Sequence, residues 1–223
     1  MVLGNVSSKE KTVTKPLYHQ IREKYQLGPA YHMTHIQNLR AILTSGELLS
    51  YNQMRGKTYL NLANEDVQSG RAAITIDVTQ KPLHDYVPLY FGFKTPMVAF
   101  NQVHNENLLF LRFSLNILSL AGVTIADGNA RAKGTRFKIY QTIDDLSFLD
   151  VSAICTVKYA KDIEIKRKKQ AELLVPDHLS ITHLLDIICF SDNTRSQVLA
   201  MAQQFGIKTQ VRVNTGWYFT PKK

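Results

Sequence analysis

Residues 166–176 read KRKKQAELLVP: four cations in a row, then a single carboxylate, Glu172, at the edge of an apolar run. A carboxylate there can be an ordinary ion pair with Lys168 or Lys169. It can also be a catalytic acid set beside a surface for a polyanion, since Lys166, Arg167, Lys168 and Lys169 together attract phosphodiesters. A second grouping is YHMTH at 31–35. His32 and Thr34 share one face of a strand. His32 and His35 have a spacing that suits a metal on a helix, but this stretch begins as a strand, so no metal site is expected. A third grouping is LHDYVPLYF at 83–91, with His84, Asp85, Tyr86 and Tyr90. Its rings could stack on a ligand or stitch loops to strands.

The remaining motifs exclude more than they assign. No GxGxxG follows a strand and no GxxxxGK[ST] is present, so dinucleotide-fold and P-loop binding have no support. HExxH and CxxC are absent, as is a nucleophile elbow. Cys155 and Cys189 sit in apolar runs and are expected to be buried and reduced. Lys plus Arg outnumber Asp plus Glu by 27 to 18, a formal net charge of +9 that favours an anionic partner. No apolar run reaches the ~18–20 residues that span a bilayer. Val2 excludes myristoylation, and MVLGNVSSKEK has no signal-peptide core. A cytoplasmic monomer without a membrane partner is the expectation.

The elements that position these groups are short and mixed. LYHQIREKYQLG predicts a helix ending near Gly28, AYHMT a strand, and HIQNLRAILTSG a helix stopped by Gly46. Residues 51–85 form a long polar stretch with Arg55 and Arg71, of the kind that is commonly functional. YVPLYFGF and NLLFLRFS predict strands, and TPMVAFNQV a helix with Thr95 as N-cap and Pro96 following. SLNILSLAG predicts a helix. VSAICTVKYA, KKQAELLV, LLDIICFS, IKTQVRV and GWYF predict strands, and SDNTRSQVLAMAQQFG a helix capped at Ser191 or Asp192. The pattern is α+β, with residues 1–28 as a partly helical extension and 29–221 as a single domain.

Taken together, YHMTHIQNLRAIL, LHDYVPLYFGFKTPM, KKQAELLVP and GWYF resemble, in order and rough spacing, the DarT family of DNA ADP-ribosyltransferase toxins, over residues 29–221. The resemblance implies the ADP-ribosyltransferase fold, a split β core with short helices around an NAD cleft. It implies NAD+ as a substrate, with no metal, and transfer of ADP-ribose to a base in single-stranded DNA. It also implies an antitoxin partner with a macrodomain, DarG-like. Glu172 matches the catalytic acid, suited to an oxocarbenium-like ribose. An Arg ahead of LHDYVP acts beside it; Val67 to Arg71 fits that pattern, with Arg55 the alternative. His32 matches the NAD-binding His, and Thr34, Asn38 and Tyr90 are expected to line the same cleft. The four cations would hold DNA. Thymine is the favoured target base, with a guanine-modifying member as the alternative. A basic module that binds single-stranded nucleic acid without catalysis is the alternative from another class.

Overall fold

The computed structural model describes residues 15–63, 65–159 and 161–219. Residues 1–14 of the expected extension, and the end of the expected domain beyond 219, lie outside the described residues. The chain runs α1 (Leu17–Tyr25), β1 (Ala30–His35), α2 (Ile36–Ser45), β2 (Glu47–Leu49), α3 (Glu65–Ala72), β3 (Thr75–Ile76), β4 (Lys81–Pro82), β5 (Tyr86–Tyr90) and α4 (Pro96–Phe100). It continues through β6 (Leu108–Phe113), β7 (Thr124–Ala126), β8 (Phe137–Ile139), α5 (Val151–Cys155), α6 (Ile163–Lys168), β9 (Glu172–Pro176), β10 (His178–Ser180), β11 (Leu184–Cys189), α7 (Asp192–Gln204) and β12 (Gln210–Val213). No helix among the described residues is long and apolar enough to cross a membrane.

The main sheet has eight strands in the order β12-β11-β6-β1-β5-β9-β7-β8. All its pairings are antiparallel except β11 with β12. β1 pairs with β6 along its whole length, from Ala30 opposite Phe113 to His35 opposite Leu108. β5 pairs equally fully with β9, from Tyr86 opposite Pro176 to Tyr90 opposite Glu172. Between them, β1 and β5 share one pair, Tyr31 opposite Tyr90. The sheet is therefore split at its centre.

Pro88 helps to keep the split open. In an antiparallel strand the N–H and C=O of one residue point to the same side. The Pro88 carbonyl accepts from His32 Nδ1 at 3.0 Å, so Pro88 faces β1 and its missing N–H falls in the gap. A side chain bridges the two halves where a ladder would otherwise close.

Strand periodicity distributes the core. In β6, Leu109, Leu111 and Phe113 join the main cluster with Ile21, Leu39 and Val198, which covers the face under α1, α2 and α7. Leu108 and Phe110 point to the other face, with Tyr31, Met33 and Tyr218. In β9, Leu173 and Val175 enter the main cluster, whereas Leu174 joins a third one with Tyr86 and Ala130. Glu172 shares the pleat of Leu174, so it emerges on the face where loops gather.

Several local expectations are corrected. Residues 151–155 form a helix and not a strand, because the Asp150 side chain caps it by accepting from Ala153 N. Cys155 ends that helix exposed; Cys189 is buried as expected. The KKQAELLV strand begins only at Glu172, since Asp162 caps α6 across the cations. SLNILSLAG closes into a 3-10 turn at Leu115–Ser119. GWYF is a 3-10 turn, Thr215–Trp217, whose rings pack inward. The first helix ends on Gln26, in the left-handed region, before reaching Gly28.

Candidate active site

Arg71 and Glu172 meet although 101 residues separate them. Glu172 opens β9 and is 1% exposed at its side chain; Arg71 lies in the last turn of α3 and is 13% exposed. Arg71 Nη1 donates to both carboxylate oxygens, at 3.2 and 3.1 Å. A third hydrogen bond comes from the backbone N–H of Ala130, 2.9 Å from Glu172 Oε1. Such charge-assisted bonds fix the carboxylate in one orientation. Arg55, the alternative arginine, is exposed in the turn after β2 and is not paired with Glu172.

The Ala130 N–H is delivered by the turn between β7 and β8. Asp127 in that turn is ion-paired to Arg167 at 2.8 Å and to Arg136 at 2.9 Å. Burial raises the Asp127 carboxyl, but the Arg136 N–H and both guanidinium groups outweigh it and hold it below its usual value. Asn129 N donates to the Arg167 carbonyl at 3.0 Å, and Asn129 Nδ2 donates to Gln170 Oε1 at 3.0 Å. Arg167 packs flat on Gly128, where an added Cβ would lie 2.4 Å from its Nη1. Arg131 crosses to α3: its Nη1 donates to the Asp66 carbonyl at 3.3 Å, and its stem leaves no room for a Cβ on Gly70. One turn thus holds Glu172 directly and restrains the helix that carries Arg71.

Arg71 of this pair lines a cavity of about 360 Å³. Its walls include His32 and Thr34 from β1, Tyr86, Pro88 and Tyr90 from β5, and Arg71. His32 and Thr34 lie on the pleat opposite to Tyr31, whereas Tyr90 is paired with Tyr31. The cavity therefore occupies the gap between the strands and not one face of the sheet. His32 Nδ1 faces a carbonyl and must donate, which leaves Nε2 as an acceptor in the neutral ring. Burial lowers its pKa and favours that neutral form. Tyr90 is pushed well above its usual value by burial and by the Glu172 charge, so it stays a phenol.

Thr34 and Asn38 line the cavity as expected, and they also hold each other and the neighbouring chain. Asn38 Nδ2 donates to Thr34 Oγ1 at 3.2 Å and to the Leu60 carbonyl at 2.9 Å, while its Oδ1 accepts from Leu60 N at 2.8 Å. That amide pins the segment around Leu60 as a wall of the cavity. His84, on the 3-10 turn before β5, also lines the cavity.

The basic run is only partly free. Lys166 is exposed. Arg167 is committed to Asp127 and Glu164, and Lys168 pairs with Asp150 at 3.0 Å. Lys169 is 1% exposed; its Nζ donates to the Ile154 carbonyl, and burial lowers its pKa to about 8. Lys169 as a DNA contact is thus at odds with the structure: the helix ends by turning that side chain under α5. Glu172 is likewise not paired with Lys168 or Lys169.

VTIADG reads as a strand followed by a turn, and the observed β7 and the turn after it agree; what sequence reasoning missed is the part this turn plays at Glu172. ADGNAR carried one usable sign, a Gly-Asn pair in which Asn accepts from the second residue on, as Asn129 Oδ1 does from Arg131 N. Nothing in the sequence announced that its amide would meet Glu172.

A family model described as "ssDNA thymidine ADP-ribosyltransferase, DarT" matches residues 31–219. A DNA ADP-ribosyl transferase of Thermus sp. (strain 2.9) is 30% identical over 203 residues, covering 86% of this chain and 96% of that protein. The solved structure of Thermus sp. 2.9 DarT in complex with ADP-ribosylated ssDNA superposes with a TM-score of 0.80 at 29% identity, covering 87% of this chain and 97% of that one. The same protein in complex with NAD+ gives 0.73 at 29% identity, over 86% and 97%. A sheet split at its centre, an arginine clamped to a buried glutamate at the split, and this match along nearly the whole chain lead to one assignment: the chain belongs to the DarT family of DNA ADP-ribosyltransferases.

Proposed function

We propose that the protein transfers ADP-ribose from NAD+ to a thymine base in single-stranded DNA, as the toxin of a toxin–antitoxin pair whose partner carries a macrodomain. The observation that carries the reading is the Arg71–Glu172 pair, whose arginine lines the same cavity as the His32 acceptor. NAD+ supplies the ADP-ribose and a good leaving group. The residues suit it: a neutral imidazole to accept from a ribose hydroxyl, apolar walls for a ring, and one fixed carboxylate. Glu172 stabilises positive charge at the ribose C1″ as nicotinamide departs. Arg71 holds Glu172 in place and presents a guanidinium to a base carbonyl. Lys166 and the overall charge of +9 favour the DNA strand. The family description names thymidine, which supports the choice of base.

The test is incubation with NAD+ and a mixed-sequence single-stranded oligonucleotide, read by intact mass, with Glu172→Gln in parallel. One added ADP-ribose, absent with the variant, is the expected result, and fragmentation then names the base. An unmodified oligonucleotide would overturn the reading. Protection of a producing strain by a co-expressed macrodomain protein tests the toxin pairing.

A further inference from the structure

One wall of the cavity that Arg71 lines is a helix face. Asn38, Ala41, Ile42 and Ser45 all line it, and their spacing puts them on one side of α2. From Asn38 to Ser45 that face runs about 10 Å, at ~1.5 Å per residue. The wall continues into β2 with Glu47 and Leu48. Glu47 pairs in register with Ser180 on β10, and β10 follows Pro176, the last residue of β9. Glu172 is the first residue of β9, roughly 13 Å from Pro176 at ~3.3 Å per residue. The fold thus places Glu172 at the start of β9 and anchors Glu47 beyond its end.

Glu47 is the only carboxylate lining the cavity among the described residues, and it is half-buried. Its carboxylate has no hydrogen-bond or ion-pair partner among them. The polar groups near it in sequence are occupied: Ser45 Oγ lies 3.3 and 3.1 Å from the carbonyls of Ile42 and Glu47, and the Asn38 amide engages Thr34 and Leu60. Ala41, Ile42 and Leu48 make the same stretch apolar. An unpaired carboxylate is an unfavourable neighbour for a ligand that carries a diphosphate, unless that ligand brings it a donor.

We propose that Glu47 selects the purine of the dinucleotide: its carboxylate accepts from the 6-amino group of adenine, with the ring against the apolar wall. The proposal rests on NAD+ as the substrate, as read above. An ionised carboxylate accepts and cannot donate. Adenine offers a donor at this edge; hypoxanthine has a carbonyl oxygen there, whose lone pairs would face the carboxylate. A site that pairs with a donor rejects the analogue lacking it, because its own polar group is then left unpaired. The apolar wall favours a flat ring over a sugar, whose hydroxyls would face Ala41, Ile42 and Leu48 without partners. Lys57, the only ammonium lining the cavity among the described residues, has no ion pair either and suits the diphosphate.

The experiment is calorimetry of NAD+ and of nicotinamide hypoxanthine dinucleotide binding to the Glu172→Gln protein, alone and combined with Glu47→Gln or Glu47→Ala. NAD+ is expected to bind about tenfold more tightly than the hypoxanthine analogue, the low end for a hydrogen bond to a charged group. Glu47→Gln is expected to bring the two within about threefold, because an amide presents either its oxygen to the amine or an N–H to the carbonyl. Glu47→Ala also removes the preference, and it binds NAD+ less tightly. Equal affinities in the parent protein, or a preference that survives in Glu47→Gln, overturn the proposal. NADP+ is the control for the sugar. A preference for NAD+ over NADP+ that vanishes in Glu47→Gln, while the purine preference stays, puts the acid at the ribose and overturns it too. If the double variants do not fold, the parent ratio decides. Transfer by wild type is followed separately. A protein that binds NAD+ but modifies no DNA defeats the transferase reading, whereas transfer with no purine preference defeats only the role of Glu47.

Discussion

The basic run makes a quantitative prediction about DNA affinity. Each phosphate contact to a single strand contributes about 0.7 to the slope of log K against log salt. Four free cations at 166–169 would give a slope of about 2.8, so raising salt from 50 to 200 mM would weaken binding about 50-fold. One free cation, Lys166, gives about 0.7 and a loss of about 2.6-fold from this segment. Lys168 falls between. Its pair with Asp150 is part-exposed on both sides, and such pairs hold by only ~0–1 kcal/mol, so a phosphate can compete for it. The assay is fluorescence anisotropy of a labelled oligonucleotide against a Glu172→Gln background, over a salt series. Lys166→Gln should lower the slope by about 0.7, and Lys169→Met should leave it unchanged. A Lys169→Met slope that drops as far as that of Lys166→Gln would refute the reasoning, since the ammonium under α5 would then have to reach DNA.

Other perturbations test the supports of the site. Gly128→Ala puts a Cβ 2.4 Å from Arg167 Nη1 and 3.0 Å from its carbonyl, so either the Arg167 guanidinium leaves its place on Asp127 or the turn shifts, and both loosen the turn that delivers Ala130 N–H. We expect about 1–3 kcal/mol lost in thermal unfolding and at least a tenfold drop in transfer, as Ala130 N–H leaves Glu172. An unaltered rate would show that the turn does not position the acid. Lys169 is held at about 8 from 10.5 when folded, so the folded state binds fewer protons and stability rises with pH between those values. The buried thiol of Cys189, raised from 9.0 to about 12, works the other way in part of that window. The stability of wild type relative to Lys169→Met should therefore improve from pH 8 to 10, by at most ~3 kcal/mol; parallel curves would contradict it. Tyr218 donates from a buried hydroxyl near the carbonyls of Leu108 and Ile188, at 3.0 and 3.1 Å. Tyr218→Phe should cost about 1–2 kcal/mol in chemical denaturation, and no change would mean that water serves those carbonyls equally well.

The strands that build the gap were legible because their side chains alternate or run uniformly apolar: AYHMT, YVPLYFGF, NLLFLRFS and LLDIICFS all fall on observed strands. The helix after β1 announced itself through its stop at Gly46 and the helix after β11 through its cap, Ser191, which accepts from Thr194 N. Arg71 and Glu172 were reachable only because motifs of a known family bracketed them; neither periodicity nor composition brings together residues so far apart. The cation run misled because charge in a sequence says nothing of partners. Asp127, Asp150 and Glu164 each engage a neighbour on α6, and only their three-dimensional placement shows it. VSAICTVKYA read as a strand from its β-branched residues, whereas one capping aspartate in the preceding position decided for a helix.

The order of strands in the sheet also sets a time. Arg71, His32 and Tyr90, with the gap they border, belong to the first half of the chain; the acid arrives on β9, between two strands already made. At ~5–20 residues per second of synthesis, the interval from Arg71 to Glu172 is about 5–20 s. During that interval a nascent molecule has much of the cavity wall without the carboxylate. With Glu172 as the catalytic acid proposed above, any product stopped short of β9 is expected to be inert, however well its earlier half folds. Activity is thus a late event in the making of each molecule, and it comes with the closing of the second half of the sheet.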